Sequence, residues 1–226
     1  MRIGILGAGG MADALGTQWA GAGHEVMISG RDAARTAVRA AAMTAQAGAR
    51  AGAQAGAQTG VRAGSWAEAA GFGDVVMVAV LAAGIVPVLK EAGAALRGKP
   101  VIDVTNAPGP DKYDPTRPLA NLIGDLSGGH VVKAFNLCHV DVWRMTPPVF
   151  GGRPLAVPLC GDDAAAKKTV GTLAADLGCT PVDGGGLARA TLLEATAAFM
   201  IGLWFGGADA QAVLPPLASS GTHLPG

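Results

Sequence analysis

Residues 1–12 read Met1-Arg2-Ile3-Gly4-Ile5-Leu6-Gly7-Ala8-Gly9-Gly10-Met11-Ala12. Arg2 to Leu6 is a short apolar run of the kind that forms a buried strand, and it passes directly into Gly7-Ala8-Gly9-Gly10-Met11-Ala12, a G-x-G-x-x-A pattern. A helical spacing opens behind it, with Leu15, Trp19 and Ala22 recurring before Gly21 and Gly23 end it. Strand, glycine turn and helix in that order are the context in which this pattern binds a dinucleotide. Gly7 suits the tight turn, Gly9 admits backbone close to a pyrophosphate, and Ala12 lets the helix lie against the sheet. The helix N-terminus then presents free N–H groups and a partial positive charge to the phosphates.

The second strand, His24 to Ser29, ends where an acidic residue would hold the ribose 2′-hydroxyl of NAD. This chain has Ser29-Gly30-Arg31-Asp32 there instead, with Arg35 one helical turn after Arg31. Guanidinium groups form forked, charge-assisted hydrogen bonds to phosphate, which points to the 2′-phosphate of NADP. Asp32 is placed to cap the helix that follows.

Composition fits one compact enzyme-sized unit. Half of the 226 residues are hydrophobic, and 17 Lys and Arg balance 17 Asp and Glu, so no broad charge field marks a nucleic-acid or anionic-membrane partner. Cys138, Cys160 and Cys179 are widely spaced, with no C-x-x-C and no histidine at ligand spacing, and read as reduced thiols with no metal. A strand beginning at residue 2 leaves no place for the basic and apolar regions of a leader, so the expected compartment is the cytoplasm. No apolar run in the sequence reaches membrane-spanning length.

Further along, Ala33 to Met43 has helical character. Glycines 48, 52, 56, 60 and 64 then fall every fourth residue in an Ala/Gly-rich stretch, read as a frayed or loop-like connection. Val61 to Ala63 predicts a short strand, and Ser65 caps a helix over Trp66 to Ala70. Val75 to Val80 is β-branched and apolar throughout, as in a parallel strand buried on both faces. The loop after it, from Leu81, should line a cofactor crevice. Ile85 to Leu96 predicts a helix and Val101 to Val104 a strand, with Thr105 and Asn106 at its carboxyl end. Leu119 to Leu126 precedes a strand over Val131 to Phe135, which leads into Asn136-Leu137-Cys138-His139. Leu155 to Cys160 and Thr180 to Asp183 predict strands around a helix, Ala164 to Leu177, that Asp162 or Asp163 caps. Leu187 to Phe205 predicts a helix apolar on most faces, which must be covered.

Five blocks, GAGGMA, SGRD, VVKAFN at 131–136, PLCGDDAAAKK at 158–168 and PVDGGGLARATLLE at 181–194, resemble the coenzyme F420-dependent NADP oxidoreductase family in order and spacing. The resemblance implies an α/β fold: a Rossmann-type doubly wound parallel sheet over 1–150, with a small C-terminal α/β addition over 151–226. It also implies a homodimer and direct hydride exchange between NADP(H) and the deazaflavin coenzyme F420. By position it puts Ala8, Gly9, Gly10 and Met11 at the pyrophosphate, Ser29, Gly30, Arg31 and Arg35 at the 2′-phosphate, and Val80 and Leu81 beside the nicotinamide; Gly7 in the tight turn and Asn106 at its strand's carboxyl end are the further cofactor-binding candidates read from the residues themselves. Where the archaeal enzymes carry a Pro-Trp pair this chain has Leu81-Ala82, and where they place a histidine it has Asn136. That keeps a small imine, carbonyl or activated alkene open as acceptor, and a non-catalytic NADP-binding sensor as a third reading. Asn136 and His139 are the catalytic candidates, His139 as proton donor to an imine or carbonyl product. A short-chain dehydrogenase needs Tyr-x-x-x-Lys, and Tyr113 is followed by Asp114-Pro115-Thr116-Arg117.

Overall fold

Parallel strands dominate the computed structural model, which describes residues 1–51 and 60–208. In chain order the elements are β1 (Arg2–Leu6), α1 (Gly10–Gly21), β2 (Glu25–Ser29), α2 (Ala33–Ala51), β3 (Val61–Gly64), α3 (Trp66–Phe72), β4 (Val75–Val78), α4 (Ile85–Ala92), β5 (Pro100–Asp103) and α5 (Leu119–Ser127). After them come β6 (His130–Lys133), the ribbon strands β7 (Val149–Phe150) and β8 (Arg153–Pro154), β9 (Ala156–Cys160), α6 (Ala164–Ala175), β10 (Thr180–Gly185) and α7 (Ala190–Phe205). One eight-stranded sheet has the order β10-β9-β6-β5-β4-β1-β2-β3. Every pairing in it is parallel except β6 with β9, which meet antiparallel at Lys133 and Cys160. The residues after 150 therefore lengthen the same sheet. This is the doubly wound α/β fold of the Rossmann type.

The sheet forms where apolar, β-branched residues can be buried on both faces. All four residues of β4 are buried, as are Ile3, Ile5 and Leu6 of β1. One core layer gathers Trp19 of α1, Met43 of α2 and Leu173 of α6, and the other gathers Trp66 of α3, Leu89 of α4 and Ile123 of α5. Trp19, Phe135 and Trp143 stack edge to face with ring centroids 5.8 and 5.4 Å apart, an arrangement aromatic quadrupoles favour.

Several boundaries depart from the sequence expectation for local reasons. Helix α2 runs past Met43 to Ala51, because its alanines outweigh Gly48; the rest of the four-residue glycine spacing up to residue 59 lies outside the described residues. Helix α4 stops at Ala92 rather than Leu96, where Gly93 turns the chain with φ 64° into a 3-10 turn over 93–96. Strand β4 ends at Val78, two residues early, and β6 at Lys133, beyond which Phe135 takes a left-handed φ of 61°. Ser65 and Glu68 form a reciprocal capping box on α3, and Asp163 rather than Asp162 caps α6. Within a single chain α7 stays largely uncovered: Leu192, Phe199 and Phe205 are exposed, and Ala190, Glu194 and Ala197 are its buried positions.

Candidate active site

Strand order reverses between β1 and β4, so the loops at the carboxyl ends of these two strands open the crevice where an α/β sheet binds its ligand. Gly7 leaves β1 with φ 147°, a conformation for which glycine is the natural residue, and its N–H donates to the Ser29 carbonyl at 3.0 Å. Ala8 and Met11 are half-buried, whereas Gly9 and Gly10 are exposed, with open space where a Cβ of Gly9 would stand. No side chain caps α1, so the N–H groups of its first turn are left for a ligand. Asp13 adds a negative charge to that first turn, but Arg39 and Arg144 lie 3.4 and 3.1 Å from its carboxylate.

At the end of β2 the side chains divide. Ser29 is fully buried and its hydroxyl donates to the Ile5 carbonyl at 2.9 Å. This corrects the expectation that Ser29 reaches a 2′-phosphate, since its hydroxyl proton is committed to the sheet. Gly30 passes so close to α2 that a Cβ would lie 2.5 Å from Thr36 Oγ1 and 3.2 Å from the Ala8 side chain, which explains a glycine there. Asp32 accepts from the Arg35 backbone N–H at 3.0 Å, the capping role expected of it. Arg31 and Arg35 are exposed and have no carboxylate partner among the described residues. Two unpaired guanidinium groups beside an uncapped helix N-terminus are an anion-binding arrangement.

The other half of the crevice is bordered by the loops after β4, β5 and β6. Val80 is half-buried there and Leu81 is 83% exposed. Asn106 and Asn136 meet: Asn136 Nδ2 donates to Asn106 Oδ1 at 3.0 Å and Asn106 Nδ2 to the Asn136 carbonyl at 2.8 Å. His139 is not brought to this pair. Its ring is exposed and its Nδ1 stands 3.3 Å from Asp141 Oδ2, so the neighbouring carboxylate of its own loop, and not the Asn106–Asn136 pair, engages it. The loop that carries it is fastened to α1, with Gln18 Nε2 donating to the Trp143 and Met145 carbonyls at 3.2 Å each. Burial pushes the Cys138 thiol up and the Cys179 thiol to about 11, so neither is a thiolate nucleophile.

Beneath the asparagine pair lies a feature the sequence reading missed. Lys133, Asp103 and Glu194 are charged residues inside otherwise apolar runs, VVKAF, VIDV and LLEAT, and all three are buried. The signal was a charge at a core position, which needs a partner of opposite sign. Thr105, expected at the crevice, is buried and donates its hydroxyl to Asp103 at 2.7 Å. A shallow apolar groove of about 390 Å³, between α7 and the turn carrying Pro110 and Tyr113, lies apart from all of these residues.

Residues 2–107 match the family model described as NADP oxidoreductase, coenzyme F420-dependent. The matched segment, a little under half of the chain, runs from β1 past the end of β5. Beyond the matched segment, similarity extends over most of the chain. A candidate F420-dependent NADP reductase of Arthrobacter sp. FB24 has a solved structure that superposes with a TM-score of 0.72 at 28% identity, covering 92% of this chain and 96% of that one. The F420-dependent NADP reductase of Methanocaldococcus jannaschii is 30% identical over 148 residues, 60% of this chain and 64% of the relative. The metalloreductase STEAP3 of Rattus norvegicus is 30% identical over 205 residues, 90% of this chain and 38% of the relative. The chain thus spans less than two thirds of the length of either curated relative.

Proposed function

We propose that the protein is an NADP-dependent oxidoreductase that exchanges a hydride between NADP(H) and the deazaflavin coenzyme F420. The observation that carries this is the pairing, on one crevice edge, of the turn left open at Gly9 before an uncapped helix with two exposed arginines that have no carboxylate partner among the described residues. Gly7, Ala8, Gly9, Gly10 and Met11 would hold the pyrophosphate through backbone N–H groups. Arg31 and Arg35 would hold the 2′-phosphate, with Gly30 giving α2 its close approach. Val80, Leu81, Asn106 and Asn136 would border the nicotinamide, on the side of the switch point away from the arginines.

When bound, NADPH supplies the hydride, and the chain's part is placement of its reactive face and exclusion of water. Transfer from the nicotinamide to a deazaflavin adds a hydride to carbon and a proton to a ring nitrogen, and solvent can supply that proton, so no buried general acid is asked of the protein. That agrees with His139 being turned to Asp141 on the surface, where a reductase of imines or carbonyls would want its proton donor inside. The family match and the M. jannaschii relative favour coenzyme F420 as the partner. Mixing the purified protein with NADPH and oxidised F420, and following absorbance, tests the reading: loss of deazaflavin absorbance with matched NADPH oxidation is the expected result.

The working form in this reading is a cytoplasmic homodimer. Helix α7 exposes Leu192, Phe199, Trp204 and Phe205, a patch that a soluble monomer seldom leaves to water. Contrary to the expectation that no apolar run reaches membrane-spanning length, the segment Leu187–Phe205 is long and apolar enough to cross a bilayer by length and composition. Glu194, however, binds the helix to the sheet core through Lys133 at 3.1 Å, which favours a second subunit over lipid as its cover.

A further inference from the structure

Three buried charges join the ends of β5 and β6 to α7. Lys133 and Asp103 are fully buried and Glu194 is 3% exposed. The Lys133 ammonium donates to Asp103 Oδ2 at 2.9 Å, to Glu194 Oε1 at 3.1 Å and to the Thr105 carbonyl, which uses all three of its protons. Asp103 Oδ1 accepts from the Thr105 N–H at 2.8 Å and hydroxyl at 2.7 Å. Glu194 also accepts from the N–H groups of Leu119 and Ala120, at 3.1 and 3.2 Å. These open α5, whose flanking Pro118 has no side-chain acceptor, so Glu194 is the cap of a helix in another part of the chain. Each of these carboxyl contacts is an acceptance, and Glu194 faces the positive end of α5.

Stability alone does not account for such a cluster, because well-packed apolar residues serve the core as well or better than buried ion pairs. What it fixes is geometry. Directly beyond it on the same three elements lie Asn106, Asn136 and Leu193. Asn136 Nδ2 donates to Asn106 Oδ1 at 3.0 Å and to the Leu193 carbonyl at 3.2 Å, while Asn106 Nδ2 donates to the Asn136 carbonyl. Two of these acceptors are backbone carbonyls, so neither amide can flip without setting oxygen against oxygen. Phe135, between Lys133 and Asn136, holds a left-handed φ of 61° that is costly for an aromatic residue and persists only where its surroundings enforce it.

We propose that Lys133 is a positioning residue for the nicotinamide half of the cofactor: through Asp103 and Glu194 it sets the Asn106–Asn136 amide pair and the start of α7 in one geometry. The proposal rests on the NADP reading given above. It is tested with Lys133→Met and Glu194→Gln, each assayed for thermal melting, for binding of NADPH and of adenosine 2′,5′-bisphosphate, and for single-turnover oxidation of NADPH by oxidised F420. The bisphosphate carries the 2′-phosphate and no nicotinamide. The expected result is unchanged bisphosphate affinity in both variants, with the rate of hydride transfer lowered by roughly tenfold to a hundredfold, the scale of a misplaced reactant. Equal loss of both ligands would overturn the proposal by showing a general folding role, and so would a full rate in either folded variant. Glu194→Gln keeps an acceptor for α5 and carries the test if Lys133→Met does not fold. Unmutated protein that binds neither ligand would remove the NADP reading and the proposal together. Unmutated protein that binds and reacts beside variants that match it would remove the proposal alone.

Discussion

A Cβ placed on Gly7 would stand 2.3 Å from the carbonyl oxygen of Ala79, so the first turn of the chain and the end of β4 touch backbone to backbone. The switch point of the sheet is closed by that approach, and its φ of 147° adds a second demand for glycine. Gly7→Ala should cost on the order of 3 kcal/mol or more, from backbone strain and displacement together. Thermal melting should fall by roughly 6–12 °C, and NADPH binding should be lost even below the new melting point. A variant that melts normally and binds NADPH would show that the turn tolerates a side chain.

Arg31 and Arg35 have no competing carboxylate among the described residues, so their charge is open to a phosphate. Each charge-assisted bond contributes about 1.5–3 kcal/mol, which translates to roughly tenfold to a hundredfold in affinity. Arg31→Ala should remove most of the preference for NADPH over NADH, and the double substitution all of it. Equal dissociation constants for the two coenzymes in the unmutated protein would contradict the assignment.

His139→Ala should lower turnover only a few-fold, because the ring is exposed and paired with Asp141 rather than with the Asn106–Asn136 pair. A loss on the order of a hundredfold, the usual share of a general acid, would instead move the reading toward reduction of an imine or carbonyl.

Phe199→Asp together with Phe205→Asp, at positions 60% and 80% exposed in the single chain, should convert a dimer to a monomer in light scattering without unfolding it. A monomer from the unmutated protein at micromolar concentration would leave the α7 face without its proposed cover.

The pH dependence of stability can be assigned in part to Asp74. Hydrogen bonds from the Arg2 side chain and backbone N–H hold its carboxyl below the usual range, and they join the starts of β1 and β4. A carboxyl whose folded value is depressed stabilises the protein above its unfolded value, near pH 4, and the contribution disappears as pH falls through the folded value. The pair is about half exposed, so solvent screens it and the effect is small. Asp74→Asn should lower the melting temperature at pH 7 by roughly 1–3 °C, with the difference closing as the pH falls through the folded value of Asp74.

The elements readable in advance were those whose burial follows from a repeating apolar pattern. β1 and β4 read as two-sided strands because nothing polar interrupts them, and the turn from Gly7 to Met11 follows once β1 is placed. Ser29 misled because a short hydroxyl at a strand end looks available, whereas the backbone carbonyl of Ile5 takes its proton. Lys133, Asp103 and Glu194 went unread because each looks like an interruption of its own segment. Their partners lie 30 and 61 residues away along the chain, so no local window contains the compensation. His139 looked catalytic for the opposite reason: a titratable ring near a strand end is conspicuous in one dimension, and its exposure shows only in three. The extent of α7 was readable, but the stretch that meets the sheet around Glu194 gave no sign of how little of the helix the single chain would cover.

Glu194 closing the first turn of α5 means that the chain's halves are not interchangeable parts. An amino-terminal fragment ending before α7 would retain the glycine turn and both free arginines, yet α5 would begin without a cap and Lys133 would lose one of its two anions. Grafting the nucleotide-binding half onto another protein, or trading it for a homologous half, therefore requires carrying the last helix along or redesigning the acid, the lysine and the helix start as one set.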